Sequence, residues 1–246
     1  NIMWGVGQPI AGMIADRYGS GRVIAAGGLL YAAGVALMSQ TTTPIDIQLS
    51  AGLLIGMGMS ATSFAVVLAA VGRVVSPERR SLAFGVVSAL GSLGQLVMVP
   101  AGQAFLEAYG WSTAFVIFAF ITLLMVPVAA AMRGRPEAAT LAERPDEGLG
   151  KTLKLAFSNS GYRYLIAGFF VCGFHVMFIG AHLPAYLTDS GLSGRTAALA
   201  LMFIGLFNVV GSYACGALGG HYSKKDLLSL LYLARSVAIL AFIVFP

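Results

Sequence analysis

Long apolar runs separated by short polar turns set the reading of this chain. Eight helical spans follow from that pattern: residues 1–15, about 22–40, about 46–72, about 81–106, 111–132, about 161–187, about 195–219, and one starting near Asp226 and running to the end. Each apolar run approaches or exceeds the 18 or so residues needed to cross a hydrocarbon core of roughly 30 Å. No alternating ten-residue strand pattern of a transmembrane barrel is present. The turns are compact, such as Ser39-Gln40-Thr41-Thr42-Thr43-Pro44, with one exception: the polar stretch 133–160, rich in Arg, Glu, Pro and Lys.

Composition sharpens the class. The 246 residues are 58% hydrophobic and 10% charged, where a soluble domain carries nearer a quarter of its residues as charges. The expected fold is therefore all-α, a multi-span helical membrane protein. The chain starts at Asn1 close to an apolar run and ends at Phe245-Pro246 inside another, with no cleavable signal pattern ahead of the first span. Both ends look cut, and the expectation is a piece of a longer polypeptide. Cys172 and Cys215 both fall within spans, where small buried thiols pack as apolar groups more often than they pair.

Charge then orients the spans. The turns after spans one, three, five and seven hold Arg17, Arg22, Arg73, Arg79, Arg80, Arg133, Arg135, Arg144, Lys151, Lys154, Arg163, Lys224 and Lys225. Among the 15 basic residues only Arg195, on the opposite side, and Arg235, within a span, are left over. The positive-inside rule places the basic turns in the cytoplasm. The net charge of +5 is thus a topology signal and not a nucleic-acid patch. Residues 133–160 read as a cytoplasmic linker between two halves, 1–132 and 161–246, of a transporter built from repeats. A weak repeat agrees: Gly216-Ala217-Leu218-Gly219-Gly220-His221-Tyr222-Ser223-Lys224-Lys225 occupies, in the second half, the place of the first turn in the first half.

That first turn, Gly12-Met13-Ile14-Ala15-Asp16-Arg17-Tyr18-Gly19-Ser20-Gly21-Arg22, has the order Gly-x-x-x-Asp-Arg-x-Gly-x-x-Arg. It resembles the loop between helices two and three of major facilitator superfamily transporters. The resemblance implies twelve spans in the whole protein, of which this chain supplies the second to the ninth, lacking the first and the last three. It also implies that Gly12, Asp16, Arg17, Gly19 and Arg22 latch the cytoplasmic side and do not bind substrate, with Arg79 and Arg80 controlling the same gate. In the second copy Gly220 stands where the first has Asp16. A further string is similar to the monocarboxylate transporter and oxalate/formate antiporter branch: Arg79-Arg80-Ser81-Leu82-Ala83-Phe84-Gly85, Ala89-Leu90-Gly91-Ser92-Leu93-Gly94, then Tyr109-Gly110-Trp111. Small and polar residues at Gly85, Ser88, Ser92 and Gln95 have, beside that, a purely physical reading, since they let helices approach closely. Ser112 follows Trp111 where the branch often has Arg. Gly52 stands where many proton-linked drug exporters carry Arg. Asn208 and Ser212 occupy positions that are often charged in monocarboxylate transporters.

Ionisable groups inside a bilayer are costly and are functional candidates by default. The predicted spans hold His175, His182 and Arg235. His175 lies roughly 20 Å along the sixth span at 1.5 Å per residue. His182 follows two turns later on the same face, a stripe that Cys172 and Tyr186 extend. Imidazole titrates near neutral pH, so either His can couple a proton to anion binding. The bland alternative is a hydrogen bond to a neighbouring helix. A seven-residue spacing suits a shared metal poorly, because helical ligand pairs favour i, i+4. Arg235, roughly 15 Å into the last span, is either a bidentate clamp on a substrate carboxylate or half of a structural ion pair. Gln8, Ser88, Ser92, Gln95, Asn208 and Ser212 are weaker cavity candidates.

No zinc-protease motif, phosphate-binding loop or cysteine pair at metal spacing occurs. No cofactor, enzymatic activity or nucleic-acid partner is expected. The resemblance implies a secondary transporter of a small organic anion, monocarboxylate-like, in the cell membrane, coupled to protons or to exchange. Two rivals stay open: a carrier of a neutral solute or drug on the same scaffold, and a non-transporting membrane sensor.

Overall fold

The computed structural model describes residues 1–131 and 149–244. Arg133, Arg135 and Arg144, with the first part of the 133–160 linker, and Phe245 and Pro246 lie outside the described residues. Among these residues there is helix and no strand. The elements are α1 (Ile2–Tyr18), α2 (Ser20–Met38), α3 (Pro44–Ile47), a π-helical stretch (Gln48–Ile55), α4 (Gly56–Ala61), α5 (Phe64–Val74), a 3-10 turn (Pro77–Arg79), α6 (Arg80–Leu123), α7 (Met125–Ala131), α8 (Leu149–Ser158), α9 (Ser160–Asp189), α10 (Gly194–Leu218) and α11 (Lys224–Val244).

Among the described residues, six segments are long and apolar enough to cross a membrane: Ser20–Met38, Pro44–Val74, Pro77–Ala130, Ser160–Asp189, Gly194–Leu218 and Lys224–Val244. The third of these has 54 residues, about 80 Å of helix at 1.5 Å per residue, more than two bilayer cores. It is two spans joined at Gly110, whose φ of 76° and ψ of 171° lie outside the helical region and suit glycine. The arms fold back on each other: the rings of Phe105 and Phe118 meet edge to face with centroids 6.0 Å apart. A side chain on Gly102 would come within 2.9 Å of the Phe118 ring. The predicted fourth and fifth spans are therefore present as one hairpin. α1, with 17 residues, covers the first predicted span but is shorter than the six segments able to cross a membrane.

The chain forms two compact units, residues 1–66 with 99–201 and residues 67–98 with 202–246. In the first, α1, α2 and the third span pack through small residues, as helices do where lipid removes the hydrophobic drive to associate. A Cβ on Gly58 would sit 2.7 Å from the Tyr31 backbone N and 2.8 Å from Gly27 O, so α2 and α4 touch backbone to backbone. On the other side of α4, the buried Ser60 hydroxyl faces three carbonyls, Trp4 O at 2.8 Å, Gly56 O at 2.9 Å and Met3 O at 3.1 Å. Its single proton ties α4 to α1.

The third span is less regular than the apolar run suggests. Thr43 and Asp46 form a reciprocal cap: Asp46 N–H donates to Thr43 Oγ1 at 3.3 Å, and Thr43 N–H to Asp46 Oδ2 at 2.9 Å. The π-helical stretch follows, where Ser50 Oγ donates to Asp46 O at 2.6 Å and a Cβ on Gly34 of α2 would lie 2.9 Å from Ser50 O. The helix breaks again at Thr62–Ser63, where Thr62 Oγ1 donates back to Gly58 O at 3.0 Å. Such hydroxyl back-bonding competes with the helical ladder.

In the second unit α6 and α10 cross antiparallel at glycine. A Cβ on Gly85 would lie 2.6 Å from Gly216 Cα and 2.8 Å from Ser212 O. Ser81 Oγ donates to Gly216 O at 2.9 Å beside this contact. Further along, a Cβ on Gly205 would lie 2.9 Å from Leu96 N. Backbone cannot yield to a methyl group as a flexible side chain can. Gly85→Ala is therefore expected to lower stability by about 1–3 kcal/mol, read as a fall in Tm of the detergent-solubilised protein. Gly94→Ala on the same helix, where a Cβ meets nothing within 4 Å, should be neutral or slightly stabilising.

Candidate functional site

The polar candidates of the second unit are distributed along α6, α10 and α11. On α6, Ser88, Ser92 and Gln95 are half-buried, and Ser92 Oγ donates to Ser88 O at 3.2 Å, its own helix. Of the residues predicted to allow close approach on α6, Gly85 meets the α10 backbone. On α10, Asn208 is exposed and Ser212 half-buried, its carbonyl against Gly85. Arg235 is half-buried on α11, with its guanidinium carbon 5.9 Å from the Tyr232 ring centroid one turn earlier. That is cation–π range, and it holds the charge beside its own helix.

The first unit carries the histidines. α9 starts at an Asn159 cap, whose Oδ1 accepts from Tyr162 N–H at 3.3 Å, and runs 30 residues. His175 is half-buried, and its Nδ1 is enclosed with no hydrogen-bond partner. An enclosed imidazole nitrogen without a partner is costly in apolar surroundings. Phe174 stands 6.2 Å from His175, Phe174 stacks on Phe178 at 6.0 Å, and Phe178 lies 4.7 Å from His182. The aromatic ladder connects the two histidines along one helix. His182 and Tyr186 are exposed. Cys172 and Cys215 are half-buried. Among the described residues, no three His, Cys, Asp or Glu side chains come together as a metal site.

The first turn is built around one glycine. Gly19 has φ 95° and its N–H donates to Ala15 O at 2.9 Å. It performs the reversal from α1 to α2, while Gly12 lies within α1 with open space at its Cβ position. Asp16, Arg17 and Arg22 are exposed at this end, and the Arg17 guanidinium lies 5.6 Å from the Tyr18 ring. Arg79, just before α6, and Arg80, its first residue, are exposed, and Arg80 Nε–H donates to Val75 O at 3.3 Å.

An ion pair joins the end of the first arm of α6, before Gly110, to the start of α10. Arg195 Nη2 lies 2.7 Å and Nε 2.9 Å from Glu107 Oε2, and Gln103 Nε2 donates to Glu107 Oε1 at 3.0 Å. Glu107 sits toward the C-terminal end of its arm and Arg195 on the first turn of α10, each with the sign that its own helix dipole disfavours. Pairing offsets both. The sequence signal was the lone basic residue on the side opposite the basic turns; its partner, 88 positions away, needed the fold.

Apolar spans, glycine-mediated helix crossings and sparse intramembrane charge define a multi-span helical membrane protein. The chain matches the Major Facilitator Superfamily over residues 2–246, and it belongs to that family. It is 30% identical to rat monocarboxylate transporter 3 over 251 residues, covering 98% of this chain and 49% of that protein. It is 31% identical to bovine monocarboxylate transporter 13 over 216 residues, 87% of this chain and 49% of that protein. Rat monocarboxylate transporter 2 is 25% identical over 254 residues, 95% of this chain and 51% of that protein. The chain spans about half the length of the curated relatives it matches.

Exposed ion pairs are weak and salt-screened. Glu107→Gln and Arg195→Gln should therefore each lower Tm by a small amount at low salt, the double substitution should lower it less than either because no dipole-disfavoured charge is left, and the differences from wild type should vanish in high salt. Additive single effects would show that the two side chains do not act as a pair.

Proposed function

We propose that this chain belongs to a secondary transporter that moves a small organic anion, a monocarboxylate or a close analogue, across the cell membrane. The two halves, 1–132 and 161–246, rock about a central site, with residues 133–160 as their cytoplasmic linker. The observation that carries the reading is the likeness to monocarboxylate transporters along nearly the whole chain. Arg235, a half-buried cation within a membrane-spanning helix, is the carboxylate ligand, because a guanidinium matches a carboxylate in two parallel hydrogen bonds. His175 carries the coupling proton: its Nδ1 is enclosed and unpartnered, so the protonated imidazole offers an N–H that an arriving anion can accept. Asn208, Ser212, Gln95, Ser92, Ser88, His182 and Tyr186 line the path in this reading. Gly12, Asp16, Arg17, Gly19, Arg22, Arg79 and Arg80 hold the cytoplasmic gate. The partners are the substrate, protons and the lipid bilayer, with no cofactor.

The test is uptake of labelled carboxylates by the full-length protein in proteoliposomes under an inward proton gradient. Arg235→Ala should raise half-saturation about 10- to 100-fold, as expected for losing hydrogen bonds to a charged group worth roughly 1.5–3 kcal/mol. Arg235→Lys should recover part of that loss, since the charge remains and the fork is gone. His175→Gln should abolish stimulation by the gradient while leaving carboxylate exchange. Gradient-driven uptake that Arg235→Ala does not change would overturn the assignment of Arg235. Absence of flux for every carboxylate, in folded protein, would overturn the substrate class.

A further inference from the structure

We propose that α8 is a membrane-surface helix that seats an anionic lipid headgroup layer on the linker side of the protein. The ten residues of Leu149–Ser158 form a helix inside a stretch whose composition reads as polar linker. At 100° per residue, Lys151, Lys154 and Ser158 share one face, Leu153 and Ala156 lie on the opposite one, and Phe157 closes the apolar side at its border with Lys154. Leu155 flanks the lysines. The helix carries two positive side chains and no negative one, and both lysines are exposed. Its apolar residues are uncovered as well: Leu153 is 38% exposed, Phe157 50% and Leu155 69%.

Position decides what meets this helix. Extended backbone at Asn159 (φ −82°, ψ 120°) ends α8, and Asn159 caps the next helix. That next helix, α9, is one of the segments able to cross a membrane, so α8 is fixed at the foot of a span. The Phe157 ring meets the Tyr162 ring of α9 edge to face at 5.8 Å, tying the apolar side of α8 to the base of the span. Exposed Arg163 and Tyr164 lie on the same first turns of α9. Tyrosines at this level are usual at the membrane interface. A short helix with a basic face and an apolar face, at that depth, rests with the apolar face roughly 5–10 Å into the headgroup and acyl boundary. Lysines on the opposite edge then meet headgroup phosphates, and anionic lipid is favoured. The inference rests on the orientation proposed above, which faces this side toward the cytoplasmic leaflet.

The test uses the full-length protein with Cys172→Ser and Cys215→Ser, carrying one bimane-labelled cysteine at Leu153 or at Lys151. The protein is placed in nanodiscs of phosphatidylcholine alone or of equal parts phosphatidylcholine and phosphatidylglycerol. With phosphatidylglycerol present, the label at 153 should be quenched by acyl-chain nitroxide and protected from iodide, and the label at 151 should behave the opposite way. Lys151→Gln and Lys154→Gln should each reduce the lipid-seated over water-exposed ratio at 153 about fivefold in that mixture. They should have little effect in phosphatidylcholine alone. Iodide reaching position 153 equally in both lipids, with Tm unchanged, would overturn the proposal. Protection at 153 that is indifferent to phosphatidylglycerol and to both lysines would overturn the headgroup assignment and point to burial against protein. Sidedness separates this from the orientation itself. A membrane-impermeant thiol reagent that reaches position 151 only from the outer face would sink the orientation, whereas correct sidedness with a wet position 153 sinks the α8 proposal alone.

Discussion

Helices in lipid have no water to flee from one another, so contact must come from backbones close enough for dispersion and hydrogen bonding to act. Everything else in this structure depends on where glycine and serine permit that approach. Gly27 and Gly58 let α2 and α4 touch, Gly85 and Gly216 let α6 and α10 cross, and Gly34 accommodates the widened turn of the third span. Serine hydroxyls work at the same seams: Ser60 reaches the carbonyls of α1, and Ser81 the carbonyl of Gly216. Large side chains point outward instead, as with Phe169 and Phe207, which are more than two-thirds exposed. In a bilayer that exposure is solvation by lipid and carries no penalty.

The same scarcity of water explains how charge is used. Basic residues gather at one set of turns, where they meet water and headgroups, and the spans hold few ionisable groups. The exceptions have distinct local arrangements. Arg235 lies against Tyr232, His175 keeps an enclosed nitrogen without a partner, and Arg195 pairs with Glu107 at the rim. Each arrangement limits what the group can do: a rim pair is screened and weak, whereas a group within a span interacts strongly with any ion that arrives.

Reading the chain located the helices well because the bilayer imposes a length on each apolar run. It did not foresee the π-helical stretch or the break at Thr62–Ser63, since both arise from hydroxyl groups bonding back to carbonyls in a run that is apolar throughout. The helix in the linker was hidden by composition: ten residues with two lysines read as polar until their spacing around a helix is considered. The tight turn was legible as a motif, yet only the backbone angles single out Gly19, and not Gly12, as the residue that makes it.

Sequence alone determined the class, the order of the helices, the turns at which positive charge gathers and the family, because all four depend on local composition and on patterns within tens of residues. Which glycines carry helix contacts, which carbonyls Ser60 and Ser81 reach, and that Arg195 finds Glu107 were decided by tertiary structure. Those depend on helices brought together from distant parts of the chain, where the angle and rotation of one cylinder against another choose the partners. No periodicity along a single helix encodes that choice.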